Sequence, residues 1–270
     1  MSLAPAWPYP RVLAHRGGGA LAPENTIAAI RVGLECGFRA VEFDAMLTGD
    51  EVPVLMHDPT LERTALIVGA VSERSAAELE RTDVGGWHSA RFVGETVPTL
   101  QRTLRFCRDH DIWPNIEIKP APGFEVATGA AIARVTAHVY ADLIRPGGDR
   151  ADQADPRVPL LSSFAPAALI AAREVEPSLP RGWLVDSVPP EWRAEIARLD
   201  CVALHADHRH LTAVLAREIK QAGKWLFCYT VNSPKRARTI FGWGVDAFCT
   251  DAIDRIPANL TPASSAAAYR

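Results

Sequence analysis

The chain of 270 residues sets 29 Lys and Arg against 32 Asp and Glu, a net charge of −3. No overall positive field therefore exists to gather nucleic acid or an anionic membrane, and any anion site must be local. Five scattered cysteines without zinc spacing, no basic-then-apolar opening and no run of eighteen apolar residues point to a cytoplasmic protein with neither signal peptide nor membrane span.

This length fits one large α/β barrel or two small domains, and one domain over residues 1–270 is expected. The first few residues and the Ala/Ser-rich tail at 261–270 are set aside. In chain order, "RVLAH", "AVEFDAML", "VPVLMH", "WPNIEI", "VPLLSSF", "RGWLVD", "CVALHA", "KWLFCYTV" and "VDAFCT" read as nine short apolar, β-branched strands. Helical spacing lies between many of them. Ile27, Ile30 and Leu34 are closed by Gly37; Leu100, Leu104 and Cys107 follow the same period; Leu211, Val214, Leu215 and Ile219 are closed by Gly223. Ser233-Pro234 starts a helix well, a capping hydroxyl before a residue with no N–H to lose.

Nearly continuous apolar strands alternating with helices predict a parallel sheet covered by helices, and the count favours an eight-stranded closed barrel. One strand is surplus. "AVEFDAML" and "VPVLMH" are joined only by "TGDE", too short for a crossover helix, so they read as a local hairpin. Residues 60–98 form a long polar stretch with a single short helical pattern near "SAAELER", expected to be an insertion leaning over the barrel mouth.

Alternation along a strand puts Glu42 and Asp44 on one face, and Glu117 and Lys119 on one face. Two carboxylates about 6 Å apart repel by roughly 3 kcal/mol at an effective dielectric near 20, so something positive should sit among them. A hard divalent cation, Mg²⁺ or Ca²⁺, takes oxygen ligands of this kind. The competing reading is that Arg16 and Lys119 neutralise the acids in ordinary buried ion pairs.

His15 and His57 each end an apolar run and precede a charged residue. Singly, each suits a structural strand end; as a pair near the same acids, they can divide base and acid work. Arg16 can clamp a phosphate through two donors and Lys119 can add a point charge. The glycines of "LAHRGGGALAPENT" admit a rival: Gly17, Gly19 and Ala22 fit G-x-G-x-x-A before a helix, with Glu42 near the next strand end, as in a dinucleotide fold. Glu24 at that helix start disfavours a pyrophosphate, so the glycines read better as a tight turn around reacting groups.

"SSF" at 162–164, "YTVN" at 229–232 and "TD" at 250–251 close three further strands at the same mouth. Phe164, Tyr229, Trp87, Trp225 and Trp243 are candidates for a pocket wall or for core. Ser162 has no hydrolase elbow around it. His88, His205, His208 and His210 have no site-specifying spacing, and a solvated loop or helix start is expected for each.

These residues together resemble the glycerophosphodiester phosphodiesterases, most closely their cytoplasmic bacterial branch. The likeness spans about residues 11–256 and rests on "AHRG", "PENT", "VEFD", "MHD", "GETVPTL", "NIEIK", "SSF", "YTVN" and "GVDAFCTD", all in family order. It implies an irregular TIM (β/α)8 barrel of the phospholipase C-like phosphodiesterase type, with a small insertion after the second histidine. By resemblance, Glu42, Asp44 and Glu117 would ligand one divalent cation, His15 and His57 would be the acid/base pair, and Arg16 and Lys119 would hold phosphate. The implied reaction takes a small molecule, a deacylated phospholipid such as glycerophosphocholine or glycerophosphoethanolamine, to sn-glycerol 3-phosphate and the free alcohol. Three alternatives stand beside it: a related phospholipase-type enzyme, which would want an exposed apolar rim or anchor that the sequence does not display; a catalytically silent binding protein; and a dinucleotide oxidoreductase.

Overall fold

The structure, a computed structural model, describes residues 6–144 and 155–261. Apart from Thr261, the expected tail lies outside the described residues, as do residues 1–5 at the other end.

All nine predicted strands form. β1 (Val12–Ala14), β2 (Ala40–Leu47), β3 (Pro53–Leu55), β4 (Trp113–Ile118), β5 (Leu160–Ser163), β6 (Arg181–Val185), β7 (Ala203–Asp207), β8 (Trp225–Tyr229) and β9 (Ala247–Thr250) share one sheet. Eight are parallel to their neighbours, and the pairing of β1 with β2 closes them into a barrel. β3 runs antiparallel to β2 outside the ring, as the short "TGDE" connection requires. Every residue of β2 is buried, because one face fills the barrel and the other meets helices, which is why the strands read as unbroken apolar runs.

The helices start where side chains cap them. α1 (Ile27–Glu35) begins at Thr26, whose hydroxyl accepts from Ala29 N, and Gly37 beyond its end has a positive φ of 87°. Two single turns, α2 (Glu62–Ala65) and α3 (Ala76–Leu79), lie in the insertion. α4 (Leu100–Asp109), α5 (Glu125–Val139), α6 (Pro166–Val175), α7 (Trp192–Arg198), α8 (Ala213–Gln221) and α9 (Pro234–Gly242) sheathe the barrel. Ser233 Oγ accepts from Arg236 N at the start of α9, as its Ser-Pro signal predicts.

Residues 60–98 carry more structure than expected. α2 was not legible, because a four-residue turn ending in left-handed Leu66 has no apolar period. The segment packs Leu61, Ala65, Val71, Leu79 and Val84 against Met46, Val54 and Met56 of the hairpin.

Inside the barrel, side chains alternate between an apolar floor and a polar mouth. Leu13, Trp113, Leu160 and Trp225, near the strand starts, form the floor. Tyr9 seals it from outside, stacked on Trp113 at 4.0 Å between ring centroids. Trp225, a candidate pocket residue by sequence, is thus core at the end opposite the mouth.

Candidate active site

The register of the sheet assembles the acids. Asp44 of β2 stands opposite Glu117 of β4, and Glu42 opposite Asn115, so three carboxylates rise from two adjacent strands toward the mouth. One oxygen from each of Glu42, Asp44 and Glu117 lies within 4.8 Å of the others, with Glu42 and Asp44 buried. Lys119 Nζ is 3.3 Å from Asp44 and 3.2 Å from Glu117, and Arg16 Nε is 3.6 Å from Asp44. Asn25 Nδ2 donates to Asp44 Oδ2 at 2.9 Å, and Asn25 Oδ1 accepts from Asp44 N at 3.0 Å.

The ion-pair reading of the acids is therefore present but incomplete. Counting outward, six carboxylates, Glu24, Glu42, Asp44, Asp58, Glu117 and Asp251, face three guanidinium or ammonium groups, Arg16, Arg63 and Lys119. Burial, then the Asp44 charge, pushes both Glu42 and Glu117 well above the ordinary carboxylate range. Burial opposes the Asp44 charge too, but Lys119 and Arg16 outweigh it and hold Asp44 low.

Around this trio the β1–α1 turn folds tightly. Arg16 N donates to Glu42 Oε2 at 3.2 Å and Gly17 N to the Glu42 carbonyl at 3.0 Å. Gly19 has φ 54°, and a Cβ there would stand 2.3 Å from the Asp251 carbonyl oxygen, so the glycine lets the turn press against the end of β9.

Each histidine is backed by a carboxylate. His15 Nδ1 is 2.5 Å from Asp251 Oδ1, and His57 Nδ1 is 2.6 Å from Asp58 Oδ1. His15 Nε2 points toward Glu42 Oε2, 3.7 Å away. Burial alone would lower the His15 pKa, but the Asp251 hydrogen bond and the Glu42 and Asp251 charges raise it overall. His57 goes the other way: burial lowers it, Asp44 and Asp58 only partly compensate, and Arg16 and Lys119 push it down further. Those same charges place His57 within electrostatic reach of the acids. All seven residues singled out by sequence thus gather at one mouth: His15, Arg16, Glu42, Asp44, His57, Glu117 and Lys119.

Several partners were given no role by the sequence reading of the site: Asn25, Asp58, Arg63 and Asp251, with Asn232 behind Asp251 at 2.9 Å. Four of these five lie inside quoted motifs, "PENT", "MHD", "YTVN" and "GVDAFCTD"; Arg63 has only its place in the insertion to mark it. His205 is a correction. Expected in a solvated loop, it sits inside the barrel on β7 at 0% exposure, stacked on Phe227 at 4.6 Å. Neither of its ring nitrogens has a hydrogen-bond partner, and burial pushes its pKa down to about 3. Gly182 makes the room, since a Cβ there would meet His205 Nε2 at 2.5 Å.

A cavity of about 420 Å³ opens beside His15 and Arg16, walled by Trp87 and His88 from the insertion. A smaller one, about 40 Å³, lies below the acids against Phe164, Tyr229 and His205. Trp243 lies away from both, beneath the Arg236 guanidinium. Exposed apolar side chains also occur on the insertion, Leu66 at 72% and Val68 at 79%, and Phe164 after β5 borders the smaller cavity. Among the described residues no helix is long and apolar enough to cross a membrane.

A closed parallel barrel with an acid trio and two carboxylate-backed histidines at its C-terminal mouth defines the TIM-barrel phosphodiesterase class. The profile of the glycerophosphoryl diester phosphodiesterase family matches residues 15–255. A glycerophosphodiester phosphodiesterase from Caldanaerobacter subterraneus subsp. tengcongensis is 30% identical over 89% of this chain and 93% of its own length. One from Bacillus subtilis is 25% identical over 88% and 82%. Among solved structures, an Oleispira antarctica phosphodiesterase in complex with the product sn-glycerol-3-phosphate superposes with a TM-score of 0.80 at 32% identity, covering 92% of this chain and 94% of that one. The chain belongs to the glycerophosphoryl diester phosphodiesterase family and is a phosphoric diester hydrolase. The dinucleotide reading of its glycines falls with that assignment.

Proposed function

We propose that the chain hydrolyses glycerophosphodiesters, such as glycerophosphocholine or glycerophosphoethanolamine, to sn-glycerol 3-phosphate and the free alcohol. Glu42, Asp44 and Glu117 would hold one divalent cation, Mg²⁺ or Ca²⁺; His15 and His57 serve as the acid/base pair, and Arg16 and Lys119 bind the phosphate. The observation that carries this reading is the meeting of three carboxylate oxygens within 4.8 Å, beside two histidines each braced by its own acid.

The trio suits a hard cation. Its oxygens are the donor type such ions prefer, and its two glutamates, one buried and one nearly so, have too little neighbouring positive charge to ionise easily. A bound divalent cation supplies positive charge where negative charge grows on the phosphoryl oxygens.

The chain's own groups do the rest. Arg16 offers a planar fork to a nonbridging oxygen and Lys119 a point charge, which orient the diester. Asp251 and Asp58 each face an Nδ1, leaving each Nε2 as the working nitrogen. One ring takes the nucleophile's proton and the other returns one to the departing alkoxide. The insertion, through Trp87 and His88, walls the cavity beside Arg16.

The test is release of glycerol 3-phosphate from a panel of glycerophosphodiesters by purified protein, with and without chelator. Chelator-sensitive release is expected. No release, or release indifferent to chelator, would overturn the reading. A phospholipase-type activity on substrates bearing an acyl chain is a second reading, favoured by the exposed Leu66, Val68 and Phe164. Faster cleavage of lysophosphatidylcholine than of glycerophosphocholine in the same assay would select it.

A further inference from the structure

Arg63, on the α2 turn of the insertion, grips two carboxylates at once. Its Nη1 and Nη2 reach Glu24 Oε2 and Oε1 at 2.6 and 2.7 Å, and its Nε reaches Asp58 Oδ2 at 2.5 Å. Each of those acids holds a second group. Glu24 Oε1 accepts from Arg16 Nη1 at 2.8 Å, and Asp58 Oδ1 stands 2.6 Å from His57 Nδ1. An unbroken chain of charge-assisted contacts thus runs from Arg16 through Glu24, Arg63 and Asp58 to His57, crossing from the β1–α1 turn to the insertion and back to the segment after β3.

We propose that Arg63 is a positioning residue that sets the spacing between the Arg16 guanidinium and the His57 imidazole, and so makes the insertion part of the catalytic apparatus. This rests on the roles given to Arg16 and His57 above.

The geometry argues for positioning over plain stability. Arg63 is partly exposed, and exposed ion pairs contribute little to folding. Holding two acids in one rigid plane, however, is something only a guanidinium does; a lysine ammonium is a single point on a flexible stem. Without Arg63, Glu24 would keep Arg16 and Asp58 would lose the guanidinium that holds it, so both groups facing the phosphate would drift. Arg63 is also the leading cause that holds Asp58 down to about 2.

The experiment compares Arg63→Gln and Arg63→Lys with the unaltered chain in steady-state kinetics, thermal unfolding and NMR titration of the His57 ring. Loss of roughly tenfold to hundredfold in kcat is expected for Arg63→Gln, with KM changed much less and the unfolding midpoint nearly kept. Arg63→Lys should recover only part of kcat, since charge without the fork cannot span both acids. The His57 titration should move upward in Arg63→Gln, because a nearby cation is gone while Asp58 keeps its charge. Unchanged kcat with an unchanged His57 titration, or activity lost only in step with folded protein, would overturn the proposal. The NMR arm needs no turnover, so it stands even if the unaltered chain cleaves no glycerophosphodiester, an outcome that would count against the assigned function instead.

Discussion

His15 and Asp251 lie 236 residues apart, yet His15 Nδ1 stands 2.5 Å from Asp251 Oδ1. The contact exists because β1 and β9 are neighbours in the closed barrel, with Ala14 opposite Thr250. Asn232 holds the other Asp251 oxygen at 2.9 Å and accepts from its backbone N–H at 2.8 Å, so the carboxylate is oriented from behind. Fixing a proton on Nδ1 keeps Nε2 free toward the acids.

Replacing Asp251 by Asn should therefore lower turnover by at least about tenfold through the wrong ring tautomer, with the fold kept. Replacing His15 or His57 by Ala should lower it by at least about a hundredfold. Glycerol 3-phosphate release and circular dichroism check both. Near-normal rates in the two alanine variants would remove the acid/base assignment.

The acid trio should register a cation in the unfolding midpoint. A ligand at a hundred times its Kd adds about 2.7 kcal/mol to a protein that binds it only when folded. Burial and Asp44 raise Glu42 and Glu117 above the ordinary 4.5, so in the ion-free protein their stabilising contribution is full below that value. It is lost as pH rises through the raised folded values, and His15, also raised, acts in the same direction. Calorimetry in chelator should show the midpoint falling between about pH 5 and 8, with Mg²⁺ or Ca²⁺ restoring more at the upper end. Glu117→Gln should blunt that restoration; an equal gain from cation in this variant would exclude Glu117 as a ligand.

His205 predicts the acid side. Its folded pKa is depressed to about 3 by burial, from 6.5. The neutral ring's contribution is thus whole above 6.5 and drains away as pH falls toward 3, by at most about 1.4 kcal/mol per unit. Because this slope opposes that of the two glutamates, His205→Leu should make the midpoint in chelator fall more steeply with rising pH between about 5 and 6.5. A slope identical to that of the unaltered chain would show that the ring is not the titrating group.

Gly129 tests packing away from the mouth. A Cβ there would stand 2.1 Å from the Ala168 carbonyl oxygen, at the contact of α5 with α6. Gly129→Ala should destabilise by about 1–3 kcal/mol, since backbone must move apart, while turnover per folded molecule holds. Denaturant titration alongside kinetics distinguishes the two effects, and an unshifted midpoint would mean the helices can part freely.

Much of the architecture was legible because burial on both faces leaves an unmistakable apolar run. "AVEFDAML" and "KWLFCYTV" could only be strands of a covered sheet, and "TGDE" could not hold a crossover helix. The acids within those runs stood out because an ionisable group in an apolar strand needs a reason. What stayed hidden was of two kinds. α2 is too short to carry a period, and its Arg63 is one charge among many on a polar stretch. His205 reads as a loop histidine although the predicted strand "CVALHA" already contains it, because a lone histidine there has no site-specifying spacing; the pairing of Leu184 with His205 fixes it within the strand.

From its sequence alone the chain dictated the barrel, the strand ends on which chemistry would sit and the residue types gathered there, since alternation and hydrophobic burial are local and periodic. Only the folded molecule decided which carboxylate faces which imidazole, that Arg63 spans two of them, and that one histidine is sealed beneath the acids. Those outcomes depend on distances of a few ångströms between segments far apart in the chain, and Coulomb and hydrogen-bond forces act on such distances without leaving a pattern in residue order.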